Sequence, residues 1–145
     1  MKTLVLVLLL SSLMLVPIQA GGTHIKTELN KTAVVENLTC GINSENTGLR
    51  ISSATIIKEV IDNNLVRPAD FSITLIPLLK MLDNGNTEYE RITAALTLYT
   101  MGNGIGIYKL RGSAKFDDSE RVRIVSKNLY YGYHTLHHST YFLDF

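Results

Sequence analysis

The sequence predicts an all-α fold: a small helical bundle of about four to five helices that follows a polar N-terminal arm. Apolar residues recur at spacings of three, four and seven positions in several segments, as on one face of a helix. Residues that cap helices precede these segments, and Asn- or Gly-rich turns follow them. We divide the chain into a signal peptide over residues 1–20, the arm over 21–48 and a helical domain over 49–145.

The first twenty residues have the order of features that defines a secretory signal peptide. Lys2 supplies a positive charge, Leu4 begins an apolar run, and Pro17 ends it before small residues suited to a peptidase. Cleavage after Ala20 is favoured over cleavage after Gly22, and an uncleaved anchor helix is disfavoured because the run is short. No later apolar run reaches the roughly 20 residues that a membrane span needs. We therefore expect a secreted, extracellular protein with no membrane span once the signal is removed.

The arm over 21–48 is polar and has few apolar anchors, so we expect it to be weakly structured, with at most a short helix around 26–35. It contains two acceptor patterns for N-glycosylation, Asn30-Lys31-Thr32 and Asn37-Leu38-Thr39. An exposed arm would leave both asparagines accessible to the glycosylation machinery. Asn30 and Asn37 are therefore predicted glycosylation sites.

The first two helices of the domain are predicted over 49–64 and 71–82. In the first, Ile57 and Ile61 recur at helical spacing, and Ser52 or Ser53 is the expected cap. The second is apolar almost all round, with Asp70 as a candidate cap, which predicts a central position. Pro77 lacks a backbone donor and should kink this helix or split it in two.

Two further helices are predicted from clear start signals. Thr87 and Glu90 match a capping box, and the helix that follows should bury a face. Acidic residues from Asp117 open the last long helix, where the helix dipole favours them. The expected apolar faces are Ile92, Ala95, Leu96 and Tyr99 in the third helix, and Val122, Val125, Leu129 and Leu136 in the last. Residues 105–110 between these helices are left open as a strand, a loop or more helix.

Cys40 is the only cysteine of the chain, so no disulfide can form within it. The secretory pathway is oxidising, and a reachable thiol would find a partner there. We expect an intermolecular disulfide and a possible homodimer through Cys40. A thiol buried as a small apolar residue and a disulfide to a different protein remain as alternatives.

Three imidazoles near the C-terminus form the sharpest chemical pattern. His134, His137 and His138 share a helix face and could converge on a zinc or copper ion. The alternative is a solvated helix end, where histidine also complements the helix dipole. The glycine-rich stretch 102–106 follows a helix rather than a strand, which favours a connector over a phosphate-binding loop. We see no nucleophile motif or cofactor-binding motif, so the sequence predicts neither an enzyme nor a cofactor.

The net charge of the mature chain argues against some classes of binding partner. Removal of Lys2 reduces the 14 Lys and Arg residues to 13, which balance the 13 Asp and Glu residues. A balanced net charge argues against bulk electrostatic binding to nucleic acid or to an anionic membrane, but it does not exclude a local basic patch. The leading expectation is a non-enzymatic extracellular factor of the signalling, defence or reproductive-fluid type, with an unknown protein partner or receptor. The alternative is an extracellular carrier of a small apolar ligand held beside helix 71–82.

Overall fold

The computed structural model describes residues 30–137, and these residues form an all-helical bundle without strands. Residues 30–137 contain six α-helices, one more than the upper end of the expected number, and a short 3-10 helix precedes the third. The helices are α1 Lys31–Ile42, α2 Thr47–Asp62, the 3-10 helix Pro68–Thr74, α3 Leu75–Asn84, α4 Glu88–Met101, α5 Gly104–Phe116 and α6 Glu120–Leu136. The predicted all-α class is confirmed.

Helix α4 lies at the centre of the bundle and packs against α2, α3, α5 and α6. Of the predicted face, Ala95 is buried, whereas Ile92, Leu96 and Tyr99 are only half-buried. The rest of the buried surface is made by Ala94, Leu98 and Met101, so the buried face is rotated from the predicted one. A hydrogen bond also connects α4 to α2: the buried Thr97 hydroxyl donates to the Ala54 carbonyl oxygen at 3.0 Å. Contact with four neighbours buries more than one face of a helix, which the spacing rule does not anticipate.

The expectation of a weakly structured arm is wrong for residues 31–42, which form α1. Asn30 caps this helix, and its side-chain oxygen accepts a hydrogen bond from the Ala33 amide at 3.1 Å. Leu38 and Ile42 are buried in the core, so packing against α2 and the 3-10 helix stabilises α1. Isolated helices of this length are marginal in water, and tertiary burial supplies the missing stability.

The expected cap of α2 is also wrong, because α2 begins at Thr47 with Asn46 as its cap. The Asn46 side chain accepts a hydrogen bond from the Leu49 amide at 3.0 Å. Ser53 is instead buried inside the helix, facing α1. The cap preference of Asn equals that of Ser, so the two positions could not be ranked by residue type.

The chain breaks before Pro77 rather than at it. The 3-10 helix covers Pro68–Thr74, and α3 starts at Leu75, which makes Pro77 its third residue. The first four amide groups of an α-helix have no intrahelical partner, so a proline there sacrifices no hydrogen bond. Asp70 makes no capping bond and pairs with Arg67 instead.

The two C-terminal helices form a hairpin. Residues 105–110, whose conformation the sequence left open, belong to α5, and Asn103 caps that helix. Helix α6 is present as predicted and packs against α5 and α4, but its cap is Ser119, two residues after the expected cap Asp117, which instead ends α5. Val122 is buried, whereas Leu136 is 69% exposed and does not complete the predicted seam.

Candidate functional site

The two predicted glycosylation sites lie on α1, at its start and on its solvent-facing side. Asn30 and Asn37 are both exposed. Thr39, which completes the second acceptor pattern, donates a hydrogen bond to the Val35 carbonyl at 2.6 Å. Both asparagines are therefore accessible at the surface, and their glycosylation stays a prediction.

Cys40 is exposed on α1, which makes the alternative of a buried thiol wrong. It lies three residues after Asn37, and residues at this spacing are neighbours on a helix surface. The thiol and the second acceptor asparagine therefore share one face. Whether Cys40 forms a disulfide with a second chain stays a prediction.

The predicted histidine cluster is only partly within the described residues. His138 lies outside them. The His134 ring packs edge-on against Tyr130 with centroids 4.5 Å apart, and His137 lies 4.3 Å from the Tyr133 ring. Among residues 30–137 no group of three metal-ligating side chains is present. The metal site at His134, His137 and His138 remains an untested hypothesis, and aromatic contacts account for the two described rings.

The most buried charged group is Glu90, whose side chain is 0% exposed. Its Oε1 accepts from Arg50 Nε at 2.6 Å, and its Oε2 accepts from the Asn86 amide at 2.8 Å. The Arg50 guanidinium also donates to the carbonyls of Ser44 and Glu45, both at 2.9 Å. This network joins α2 to the start of α4 and uses both carboxylate oxygens, which leaves Glu90 poorly placed for acid–base chemistry.

The outer face of α5 carries several large apolar side chains that are exposed. Ile105 is 61% exposed, Tyr108 is 70% exposed and Phe116 is 81% exposed. Together with Gly112 they recur at spacings of three and four, so they lie along one side of the helix. A Cβ at Gly112 would meet no atom within 4 Å, so the centre of this surface is open. We call these four residues the α5 face.

Basic residues border the α5 face. Helix α5 contains Lys109, Arg111 and Lys115 and no acidic residue. Residues 104–137 carry six basic and three acidic side chains, a formal charge of +3, whereas 30–103 carry six and eight, a charge of −2. Positive charge is therefore concentrated in the hairpin that presents the apolar residues, although the whole chain is almost neutral.

A shallow cleft of about 200 Å³ opens beside the α5 face. Gly112 and Phe116 form one side of it, and Asp83 of α3 forms another. Lys109 crosses between the two helices and pairs with Asp83 at 2.6 Å. At the end of α5, the Asp117 carboxylate is held by Arg91 of α4, with N–O distances of 3.0 and 3.1 Å. The cleft is thus bounded by side chains that ion pairs hold in place.

The spacing of the α5 face is visible in the sequence, but the sequence analysis does not identify these residues as a surface. Ile105, Tyr108, Gly112 and Phe116 follow a helical period, and the first two lie in the segment 105–110 whose conformation the sequence leaves open. An apolar period alone does not distinguish a buried face from an exposed one. The opposite side of α5, with Ile107 and Leu110, is the side that the bundle buries.

Helix 71–82, beside which an apolar ligand was the alternative expectation, packs its inward side chains into the core. Phe71, Leu78 and Leu82 are all fully buried among other apolar side chains. No helix within residues 30–137 is long and apolar enough to cross a membrane. No protein-family model matches the chain, and no curated protein or solved structure matches it.

Proposed function

We propose that this chain is a secreted, non-enzymatic helical protein that acts by binding another protein, as an extracellular factor of the signalling, defence or reproductive-fluid type. The observation that carries the proposal is the α5 face. Three large apolar side chains, each more than 60% exposed, stand in line on one ordered helix. Contiguous exposed apolar surface bordered by charge is typical of protein-binding sites.

Secretion rests on the order of charge, apolar run and small residues over 1–20. The proposal includes N-glycans on Asn30 and Asn37, which are exposed at the start and on the surface of α1. It also includes a disulfide-linked dimer through the exposed Cys40. Glycans on α1 would leave the α5 face accessible, because α1 packs against α2 and the 3-10 helix rather than α5.

A binding role is favoured over a carrier role because of the packing around helix 71–82. A carrier for an apolar ligand needs an apolar cavity that encloses most of the ligand surface. Phe71, Leu78 and Leu82 of this helix are buried in the core. The cavity of about 250 Å³ beside the helix is lined in large part by polar and charged side chains, among them Lys80, Arg50 and Glu90. A binding role is favoured over catalysis because the oxygens of Glu90 and Asp117 are engaged in ion pairs.

The proposal is tested by secretion and by site-directed cross-linking. The full chain is expressed in eukaryotic cells, and we expect the protein in the medium, with a mass that falls after glycosidase treatment. A photo-crosslinking amino acid is then placed at Tyr108 and, as a matched control, at Ile73, which is 65% exposed on the 3-10 helix. On cells or in extracellular fluid, a defined protein should be cross-linked from position 108 and not from position 73.

Two results would contradict the proposal. Full-length protein retained in the cell membrane would argue against secretion. Equal cross-linking from positions 108 and 73, or a lipid-like ligand extracted from the purified protein in stoichiometric amount, would argue against protein binding through the α5 face.

A further inference from the structure

We propose that residues 138–145 turn back onto the start of the α5 face and cover Ile105 and Tyr108 until a partner protein displaces them. These eight residues lie outside the described part of the chain. Three observations lead to the assignment: where α6 ends, how far eight residues reach, and which residues they are. The covered surface is the proposed binding surface, so this regulation rests on the proposed function.

Helix α6 ends beside the start of α5. The Tyr133 hydroxyl donates to the Gly102 carbonyl oxygen at 3.3 Å, and Gly102 lies three residues before Ile105. Two helices joined by so short a connection run antiparallel, so the chain leaves α6 close to Ile105 and far from Phe116. Leu136 in the last turn of α6 is 69% exposed, so apolar surface is also open where the chain leaves this helix.

Eight residues are long enough to reach the first half of the α5 face and too short to cover its end. An extended chain of this length spans about 26–29 Å. His137 lies about 6 Å beyond Tyr133 along α6, and packed helix axes are about 8–10 Å apart. The straight path from His137 is then about 17 Å to Tyr108 and about 28 Å to Phe116. Residues 138–145 can therefore pack on Ile105 and Tyr108, whereas Phe116 would take up their whole length.

The composition of the segment matches this path. Residues 138–140 are polar, and in extended form they span about 10 Å, most of the way from α6 to the start of the α5 face. The residues that follow are apolar apart from one aspartate: Tyr141, Phe142, Leu143 and Phe145. The apolar part of the segment thus begins where the exposed apolar surface begins. Contact between the two removes both from water, which is favourable.

A segment attached to the same chain has an advantage over any separate molecule. A short flexible connection gives its end an effective concentration in the millimolar range at the neighbouring surface. A second copy of the chain or a lipid would have to reach that concentration to compete equally. Contiguous exposed apolar surface also favours an occupant. In the free chain that occupant is residues 138–145, and a partner protein binds by displacing them.

A single tryptophan tests the cover. The chain has no tryptophan, so Tyr108→Trp places its only indole on the surface in question. In the mature chain, removal of residues 138–145 should shift the indole emission to longer wavelength and raise its quenching by acrylamide, because water then reaches the ring. Phe116→Trp is the matched control on the same helix. It lies beyond the reach of the segment, so the same removal should leave its emission and quenching unchanged.

Full-length variants repeat the test without shortening the chain. Phe142→Asp combined with Leu143→Asp places two charges in the apolar part of the segment and should expose the indole at position 108 as removal does. Ser139→Asp combined with Thr140→Asp adds the same charge to the polar part and should leave the indole covered. Circular dichroism confirms that each variant keeps its helical content.

Removal of the segment should also increase capture of a partner. A surface that is free in about one molecule in ten binds about tenfold more weakly than one that is always free. The yield of protein cross-linked from position 108 at limiting concentration should therefore rise by up to about tenfold once residues 138–145 are removed. Cross-linking from position 73 should stay at background in both chains.

The outcomes separate the cover from the proposed function. Quenching at position 108 that removal leaves unchanged overturns the inference, and so do equal responses at positions 108 and 116, which would show a general loosening of the bundle. Quenching that falls as protein concentration rises also overturns it, because a second copy then covers the surface. A cross-linked protein without a response at position 108 refutes the cover alone. A response at position 108 without any cross-linked protein refutes the proposed function and leaves the cover standing.

Discussion

Arg50 and Glu90 are forty residues apart in the sequence and form a buried ion pair, with Arg50 Nε 2.6 Å from Glu90 Oε1. Each partner also meets the backbone next to a helix start: Glu90 accepts from the Asn86 amide, and Arg50 donates to Ser44 and Glu45. The Thr87 hydroxyl accepts from the Glu90 amide at 3.1 Å, as the predicted capping box requires. A capping box would direct the Glu90 carboxylate to the amide of the cap residue, Thr87. The carboxylate instead accepts from the Asn86 amide, one residue earlier.

This pair should contribute strongly to stability. Glu90→Ala leaves the Arg50 guanidinium without its carboxylate and the Asn86 amide without an acceptor, and should lower the free energy of unfolding by about 3–5 kcal/mol. Asp62→Ala, which removes an exposed pair with Lys58, should cost about 1 kcal/mol or less. Urea denaturation of both variants measures the difference, and equal losses would show that the Glu90 network is not important for the fold.

Two glycines inside helices should respond in opposite directions to the same substitution. A Cβ at Gly41 would overlap the side chain of Ser53, because α1 and α2 approach closely there. Gly41→Ala should therefore destabilise the protein by about 1–3 kcal/mol, the usual cost of overpacking. Gly112→Ala, where the space is open, should stabilise α5 by up to about 1 kcal/mol through helix propensity. Thermal denaturation tests both, and a stabilising Gly41→Ala would contradict the close approach.

A glycan on Asn37 should limit disulfide formation at Cys40, since the two residues are one turn apart on α1. Asn37→Gln should raise the fraction of covalent dimer among secreted molecules on a non-reducing gel. Asn30→Asp is the matched control, because it removes the other acceptor pattern and keeps an oxygen that caps α1. Cys40→Ser should abolish the dimer, and a dimer fraction that Asn37→Gln leaves unchanged would exclude the shielding effect.

The pair between Arg67 and Asp70 should be visible in an acid titration. The hydrogen bonds from Arg67 to the Asp70 carboxylate, at 2.8 and 3.2 Å, lower the pKa of Asp70 below its ordinary value. A carboxyl pKa that is lower in the folded state than in the unfolded chain, where it is about 3.9, stabilises the folded state. This stabilisation is fully present above the unfolded-state pKa and is lost as pH falls through the folded-state pKa. NMR titration should show that Arg67→Ala returns the midpoint toward the ordinary value, and an unchanged midpoint would contradict the pairing.

Much of the fold could be read from local chemistry. The cap at Thr87 and the turn after Met101 depend on residue types within four positions of one another, and the structure confirms both helix boundaries. The acidic cluster from Asp117 predicts the last helix but not its cap, which is Ser119. The errors occur where a choice depends on distant residues. Asn46 competes with Ser52 and Ser53 as a cap, and the position of Ser53 against Gly41 of α1 makes it unavailable. The burial of Leu38 and Ile42, which stabilises α1, likewise requires partners far along the chain.

The sequence by itself determined the helical class, the capped helix start at Thr87, and the presence of a single cysteine, because these follow from short-range geometry and from counting. Only the tertiary structure decided that Glu90 pairs with Arg50 and that Cys40 is exposed. It also decided that one side of α5 stays outside the core while the other side is buried. A helical period shows that residues share a face, but whether that face meets protein or water depends on where the other helices pack, which no local pattern contains.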